Sequence, residues 1–183
     1  MNLALVPNLI CAVRILLVAP VAVAILAGRY PLALALFVIA GVSDALDGYL
    51  ARRYGWITEL GQILDPAADK LLMVATYLTL SFAGHVPWWL CLTAVVRDVT
   101  IAGGALAYRR VCHTWGVGAT GVSKLNTLVS VAYLAGVLAA VAMPGLVAAP
   151  LLTVLGAAVF VTTVVSGLDY VVTYARLAAA AAG

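Results

Sequence analysis

Charge is what this chain most lacks. Only 9% of its 183 residues are Asp, Glu, Lys or Arg, where a water-soluble domain carries about 25%. So little polar surface cannot coat a globule in water. With 66% apolar residues, the chain reads as an all-α integral membrane protein with no soluble catalytic domain left over. Histidine is almost missing, and His85 and His113 are too far apart in sequence to argue for a histidine metal site. Cys11, Cys91 and Cys112 are scattered and form no CxxC pair. Neither a disulfide framework nor a thiolate zinc site is encoded, so the cysteines read as small buried apolar residues. No internal repeat is evident. The run Gly116-Val117-Gly118-Ala119-Thr120-Gly121 has the form G-x-G-x-x-G. It lacks the preceding strand and the acidic residue about 20 positions on that a dinucleotide site needs, and reads as an inter-helix loop.

What the chain has instead is long apolar runs. A helical crossing takes about 20 residues, and the Gly and Pro punctuation predicts six, at roughly 7–26, 31–54, 61–82, 87–110, 122–141 and 149–174. Gly28 ends the first, Pro31 opens the second, Gly84 closes the third and Pro87 opens the fourth. Met143-Pro144-Gly145 bounds the fifth, and an alanine-rich tail follows the sixth. The whole of 1–183 is expected to be one transmembrane domain. A cleaved signal over residues 1–28 is disfavoured, because no basic residue precedes the apolar run and Arg14 interrupts it. Six spans put both termini and the 2–3 and 4–5 loops on one side. Arg14, Arg52, Arg53, Lys70, Arg109, Arg110, Lys124 and Arg176 lie near that side, and Arg29 alone marks the other. The positive-inside rule makes the basic side, with both termini, cytoplasmic.

Four of the seven acidic residues fall in one stretch: Asp44, Asp47, Asp65 and Asp69. Ionisable groups inside apolar spans are costly and mark function. Asp44 and Asp47 are three apart on the second helix, and Asp65 and Asp69 four apart on the third, so each pair shares a helix face. Two antiparallel helices joined by a short loop can bring those faces together. Four close carboxylates in a low dielectric need protons or cations. Oxygen ligands without His or Cys suit Mg²⁺, Mn²⁺ or Ca²⁺, and a two-metal site is a recurring device of phosphoryl chemistry. The bland alternative, a helix cap plus a surface pair, accounts for one acid and not for four. Gly48 and Ala51 leave a trough where a base or pyrophosphate could approach the backbone, although such residues also serve helix packing. Arg52 at the mouth offers a forked donor for phosphate; the alternative, a snorkelling anchor, suits Arg53. Gly61 is read as preceding the third helix and easing the turn into it, with Pro66 in its first turn, where proline is tolerated.

The pattern Asp44-x2-Asp47-Gly48-x2-Ala51-Arg52-x8-Gly61-x3-Asp65-x3-Asp69 resembles, at every fixed position, the signature of the CDP-alcohol phosphotransferase family. The six-helix layout resembles it too, without the long cytoplasmic N-terminal extension of some members. The resemblance implies a homodimer that transfers a phosphatidyl group from CDP-diacylglycerol to an alcohol and releases CMP. It implies that Asp44, Asp47, Asp65 and Asp69 hold two Mg²⁺ or Mn²⁺ ions. Asp47, Gly48, Ala51, Arg52 and Gly61 would hold the CDP moiety, and Asp69 would take the proton of the acceptor hydroxyl. The setting it implies is a bacterial cytoplasmic membrane, with the active site facing the cytoplasm and no nucleic-acid partner.

The acceptor is less sharply written. Val6-Pro7-Asn8-Leu9-Ile10 followed by Arg14 resembles the opening of phosphatidylglycerophosphate synthases and single-motif cardiolipin synthases, with Cys11 where Thr is usual. Arg97-Asp98 and Ser123-Lys124-Leu125-Asn126-Thr127 resemble the cardiolipin-synthase side. Phosphatidylglycerol and glycerol 3-phosphate are therefore nearly level as acceptors. Both carry phosphate, and Lys124, Arg97 and Arg110 are the candidate cations for it. For Arg97 the alternative is an ion pair with Asp98 or Asp169; Arg109 and Arg110 can equally be topology anchors. The rival function is a divalent-cation transporter using the same carboxylates. Against it stand the missing repeats and Arg52, which would repel the ion.

Overall fold

A computed structural model describes the backbone of residues 5–54, 59–112 and 120–182, and side chains over 13–44, 46, 67–105, 120–174 and 176. Among the described residues the regular structure is all helical, in six elements: α1 (Leu5–Leu26), α2 (Tyr30–Tyr54), α3 (Glu59–Phe82), α4 (Trp88–Cys112), α5 (Gly121–Ala142) and α6 (Ala149–Ala182). Among them α5 and the Ala149–Tyr174 part of α6 are long and apolar enough to cross a membrane. With 31 large hydrophobic side chains exposed among the described residues, this is an apolar exterior suited to lipid rather than water.

Local chemistry sets the helix ends. Gly28 has φ 70° and Gly84 has φ 79°, a left-handed conformation that costs a residue with a Cβ roughly 1–2 kcal/mol. After α1, the Gly28 amide donates to the Ile25 carbonyl and the Arg29 amide to Ala24. After α3, Gly84 donates to Ser81 and His85 to Leu80 in the same pattern. These paired bonds form the Schellman motif that satisfies the last carbonyls of a helix. Thr120 caps α5, its Oγ1 accepting from the Ser123 amide at 3.3 Å. Two expectations shift. Helix α3 starts at Glu59, so Gly61 lies inside its first turn rather than before it. Pro66 falls about two turns in, where its missing N–H forgoes one helical hydrogen bond. The tail after residue 174 is helical to Ala182, as a run of alanine, the strongest helix former, favours.

The chain divides into two compact units, Met1–Val86 with Leu134–Ala148, and Pro87–Tyr133 with Ala149–Gly183. In the first, α1 packs on both α2 and α3. Each of these helices carries a stripe at spacings of four, three and four: Arg14, Val18, Val21 and Ile25 on α1; Ala33, Phe37, Ala40 and Asp44 on α2; Asp69, Met73, Thr76 and Leu80 on α3. Nine of the twelve are buried, and Val18, Asp44 and Asp69 are partly so. Every stripe spans eleven residue steps, about 16 Å of helix, and carries a charge at one end. Because α2 runs antiparallel to α1 while α3 runs parallel to it, the three charged ends come level. That register builds the site.

In the second unit α4 packs on α6. Their register is parallel: Trp89 meets Phe160 edge to face at 5.4 Å, Arg97 meets Ser166, and Gly104 meets the Tyr174 ring. Helix α5 runs antiparallel to α6, with Asn126 on Thr162 and Thr163 and Tyr133 against Gly156. Ser123, Asn126, Ser130, Thr163 and Ser166 are all buried. Small and hydrogen-bonding side chains between apolar helices are how membrane helices associate when lipid is as apolar as leucine.

Candidate active site

Asp44, just past the middle of α2, and Asp69, about three turns into α3, converge on Arg14 of α1. One Arg14 guanidinium reaches both: Nη2 to Asp44 Oδ1 at 2.6 Å and Nη1 to Asp69 Oδ1 at 2.9 Å. The Arg14 side chain is 1% exposed, whereas each carboxylate is 39% exposed. The cation is thus packed among the helices, while each carboxylate keeps part of its surface exposed. Charge-assisted pairs of this length are the strong ones, and the fork of the guanidinium fixes both oxygens at once. The sequence reads Arg14 as a topology marker and as the end of the opening at 6–14; the structure adds its two carboxylate partners. The signal for them was the charge interrupting an apolar run, on the stripe that Val18, Val21 and Ile25 complete.

The other motif positions are placed by backbone alone. Helix α2 continues unbroken to Tyr54, so positions 44, 47, 48 and 51 fall on one face, with 52 adjoining it. Asp65 lies one turn before Asp69 within α3. The side chains of Asp47, Asp65, Ala51, Arg52 and Arg110 lie outside the described residues, as do the loop at 113–119 and Cys11 and Cys112. Among the described residues no group of three or more Asp, Glu, His or Cys forms a metal cluster. What is described offers a hard divalent cation carboxylate oxygens from two helices, both partly exposed.

Of the candidate acceptor residues, Lys124 is exposed in the first turn of α5. Arg97 is 5% exposed and tightly held. Its Nη1 donates to Asp98 at 2.7 Å, its Nη2 to Ser123 at 2.6 Å and its Nε to Ser166 at 3.2 Å. The partner acid is therefore Asp98 rather than Asp169. Arg97 also borders a groove of about 460 Å³ along α4 and α6, lined mostly by apolar side chains such as Val96, Val164 and Leu168. Ser123 and Asn126, part of the motif read as marking acceptor choice, serve as bonds between helices. Cys91 is buried, as expected of a small apolar residue.

The comparisons with known proteins agree with the motif. The family model for CDP-alcohol phosphatidyltransferase matches residues 4–165. A putative cardiolipin synthase of Mycobacterium bovis is 40% identical over 99 residues, 54% of this chain and 47% of that protein. A probable phosphatidylglycerophosphate synthase of Mycobacterium tuberculosis is 35% identical over 140 residues, covering 75% and 63%. The CMP-forming cardiolipin synthase of Rattus norvegicus is 33% identical over 153 residues, covering 74% and 50%. The chain thus spans about half to just under two thirds of the length of these relatives. Among solved structures, phosphatidylinositol phosphate synthase of Mycobacterium tuberculosis, crystallised with CDP-DAG, shares the fold at a TM-score of 0.67 and 19% identity, over 92% of this chain and 85% of that one. With the full aspartate signature on α2 and α3 and a family match along most of its length, this chain belongs to the CDP-alcohol phosphatidyltransferase family.

Proposed function

We propose that this protein is a metal-dependent phosphatidyltransferase. It would move the phosphatidyl group of CDP-diacylglycerol to phosphatidylglycerol or, nearly as well supported, to glycerol 3-phosphate. The observation that carries the reading is the convergence of Asp44 and Asp69 on Arg14 in a chain of this family. Asp44, Asp47, Asp65 and Asp69 are the residues that would hold two Mg²⁺ or Mn²⁺ ions. Bound there, the ions supply charge stabilisation for the diphosphate and the departing CMP. Asp47, Gly48, Ala51, Arg52 and Gly61 would hold the CDP moiety, with the Arg52 guanidinium on phosphate. Asp69 would take the acceptor's hydroxyl proton as that oxygen bonds to phosphorus and the bond from phosphorus to CMP breaks. Lys124 and Arg110 are the cations assigned to the acceptor phosphate; Arg97, the third candidate, is already engaged by Asp98, Ser123 and Ser166.

We assign the chain one membrane domain of six spans, with both termini and the aspartate end in the cytoplasm of a bacterial inner membrane, and a homodimeric state. Cation transport has no observation in its favour beyond the carboxylates themselves. The test is product analysis on purified protein with CDP-diacylglycerol and Mg²⁺, offering phosphatidylglycerol and glycerol 3-phosphate separately. Cardiolipin or phosphatidylglycerophosphate is expected with release of CMP, abolished in Asp47→Asn. No metal-dependent CMP release above that control, with serine and inositol also tried, would overturn the reading.

A further inference from the structure

Arg14 belongs to no position of the aspartate signature, yet the structure makes it the point where two of those aspartates meet. We propose that Arg14 is a positioning residue for the divalent cations: its guanidinium holds Asp44 and Asp69, from two different helices, at the separation a metal ion requires. The proposal rests on the reading of those aspartates as metal ligands.

Three observations carry it. The two contacts, at 2.6 and 2.9 Å, run to one oxygen of each carboxylate from the two Nη atoms of a single planar group. The guanidinium therefore sets the distance between the carboxylates rather than merely neutralising them. Arg14 is itself immobilised, being 1% exposed on a stripe with Val21 and Ile25, which are each 1% exposed. The carboxylates are 39% exposed, so a metal can reach them while Arg14 remains in place. Groups that orient metal ligands in this way, when removed, weaken metal binding by roughly 10–100-fold. Lysine is a poor substitute, because a single ammonium cannot reproduce the fork.

The experiment is direct titration of the purified full chain with Mn²⁺ alone, following free Mn²⁺ by electron paramagnetic resonance. The wild-type protein is compared with Arg14→Gln and Arg14→Lys, and thermal unfolding confirms that each variant is folded. Arg14→Gln is expected to bind Mn²⁺ roughly 10–100-fold more weakly, with turnover recovering as Mn²⁺ is raised. Arg14→Lys is expected to fall between that variant and the wild type. Wild-type affinity in Arg14→Gln would overturn the proposal, even if its melting temperature fell. If Arg14→Gln does not fold, Arg14→Lys decides: a weakened affinity supports the forked contact and an unchanged one overturns it. A wild-type protein that takes up no Mn²⁺ would overturn the metal reading itself, and this proposal with it.

Discussion

Arg97 and Arg14 are both buried arginines, and their surroundings give them different work. Arg14 meets two half-exposed carboxylates from separate helices. Arg97 meets its sequence neighbour Asp98 and two buried hydroxyls, Ser123 and Ser166, and so ties α4, α5 and α6 together. Truncating one partner of a buried pair leaves the other charge uncompensated, at a cost of about 3 kcal/mol. Arg97→Ala is therefore expected to lower the melting temperature in detergent substantially, whereas Ser166→Ala, which removes one neutral acceptor of the guanidinium and leaves the ion pair with Asp98 in place, should cost less, about 1.5 kcal/mol. Thermal unfolding of the two variants side by side checks the order. Equal effects would mean that the ion pair contributes little beyond its hydroxyl bonds. The sequence exposed both arginines as anomalies in apolar spans. It offered the adjacent Asp98 as a partner for Arg97 but could not assign the others, because those lie 26 to 69 positions away and depend on how helices pair.

At the scale of the element, helix ends were legible and helix interiors less so. Gly28 and Gly84 mark ends that the structure confirms by their left-handed backbone and paired amide bonds. A Cβ at Gly84 would meet nothing within 4 Å, so Gly84→Ala isolates the backbone cost, expected at roughly 1–2 kcal/mol of stability. Gly104 is the opposite case. Its conformation is ordinary, but an added Cβ would lie 2.9 Å from the Tyr174 ring, where α4 approaches α6 closely. Gly104→Ala should destabilise, and Tyr174→Ala in the same protein should remove most of that penalty; additive losses in a double-mutant cycle would show that the ring is not the obstacle. Helix α3 starts at Glu59, two residues before Gly61. Helical hydrogen bonding from Glu59 onward overrides the preference of Gly61 for a turn and the poor fit of Pro66 to a helix interior.

At the scale of the whole molecule, the distribution of basic residues argues for both termini in the cytoplasm. Single cysteines at Gly183 and at Arg29, introduced into a protein whose own cysteines are replaced, test this in right-side-out vesicles. The Arg29 position is expected to react with an impermeant thiol reagent and Gly183 to be protected until the membrane is opened. The reverse pattern would invert the orientation and put the aspartates on the wrong side for a cytoplasmic nucleotide.

The sequence by itself determined the solvent, the helices and the family. Too little charge for water, apolar runs of membrane length and an aspartate pattern over 26 residues require no knowledge of packing, because each is a local property of the chain. Register was not local. That Arg14, Asp44 and Asp69 stand level depends on α2 turning back along α1 and α3 following α1, so that three stripes of equal length end together. The fate of Ser123 and Asn126 depends likewise on α5 meeting α6 in the antiparallel sense. A buried polar group takes whichever partner the neighbouring helix brings to its depth, and only the tertiary structure decides which one that is.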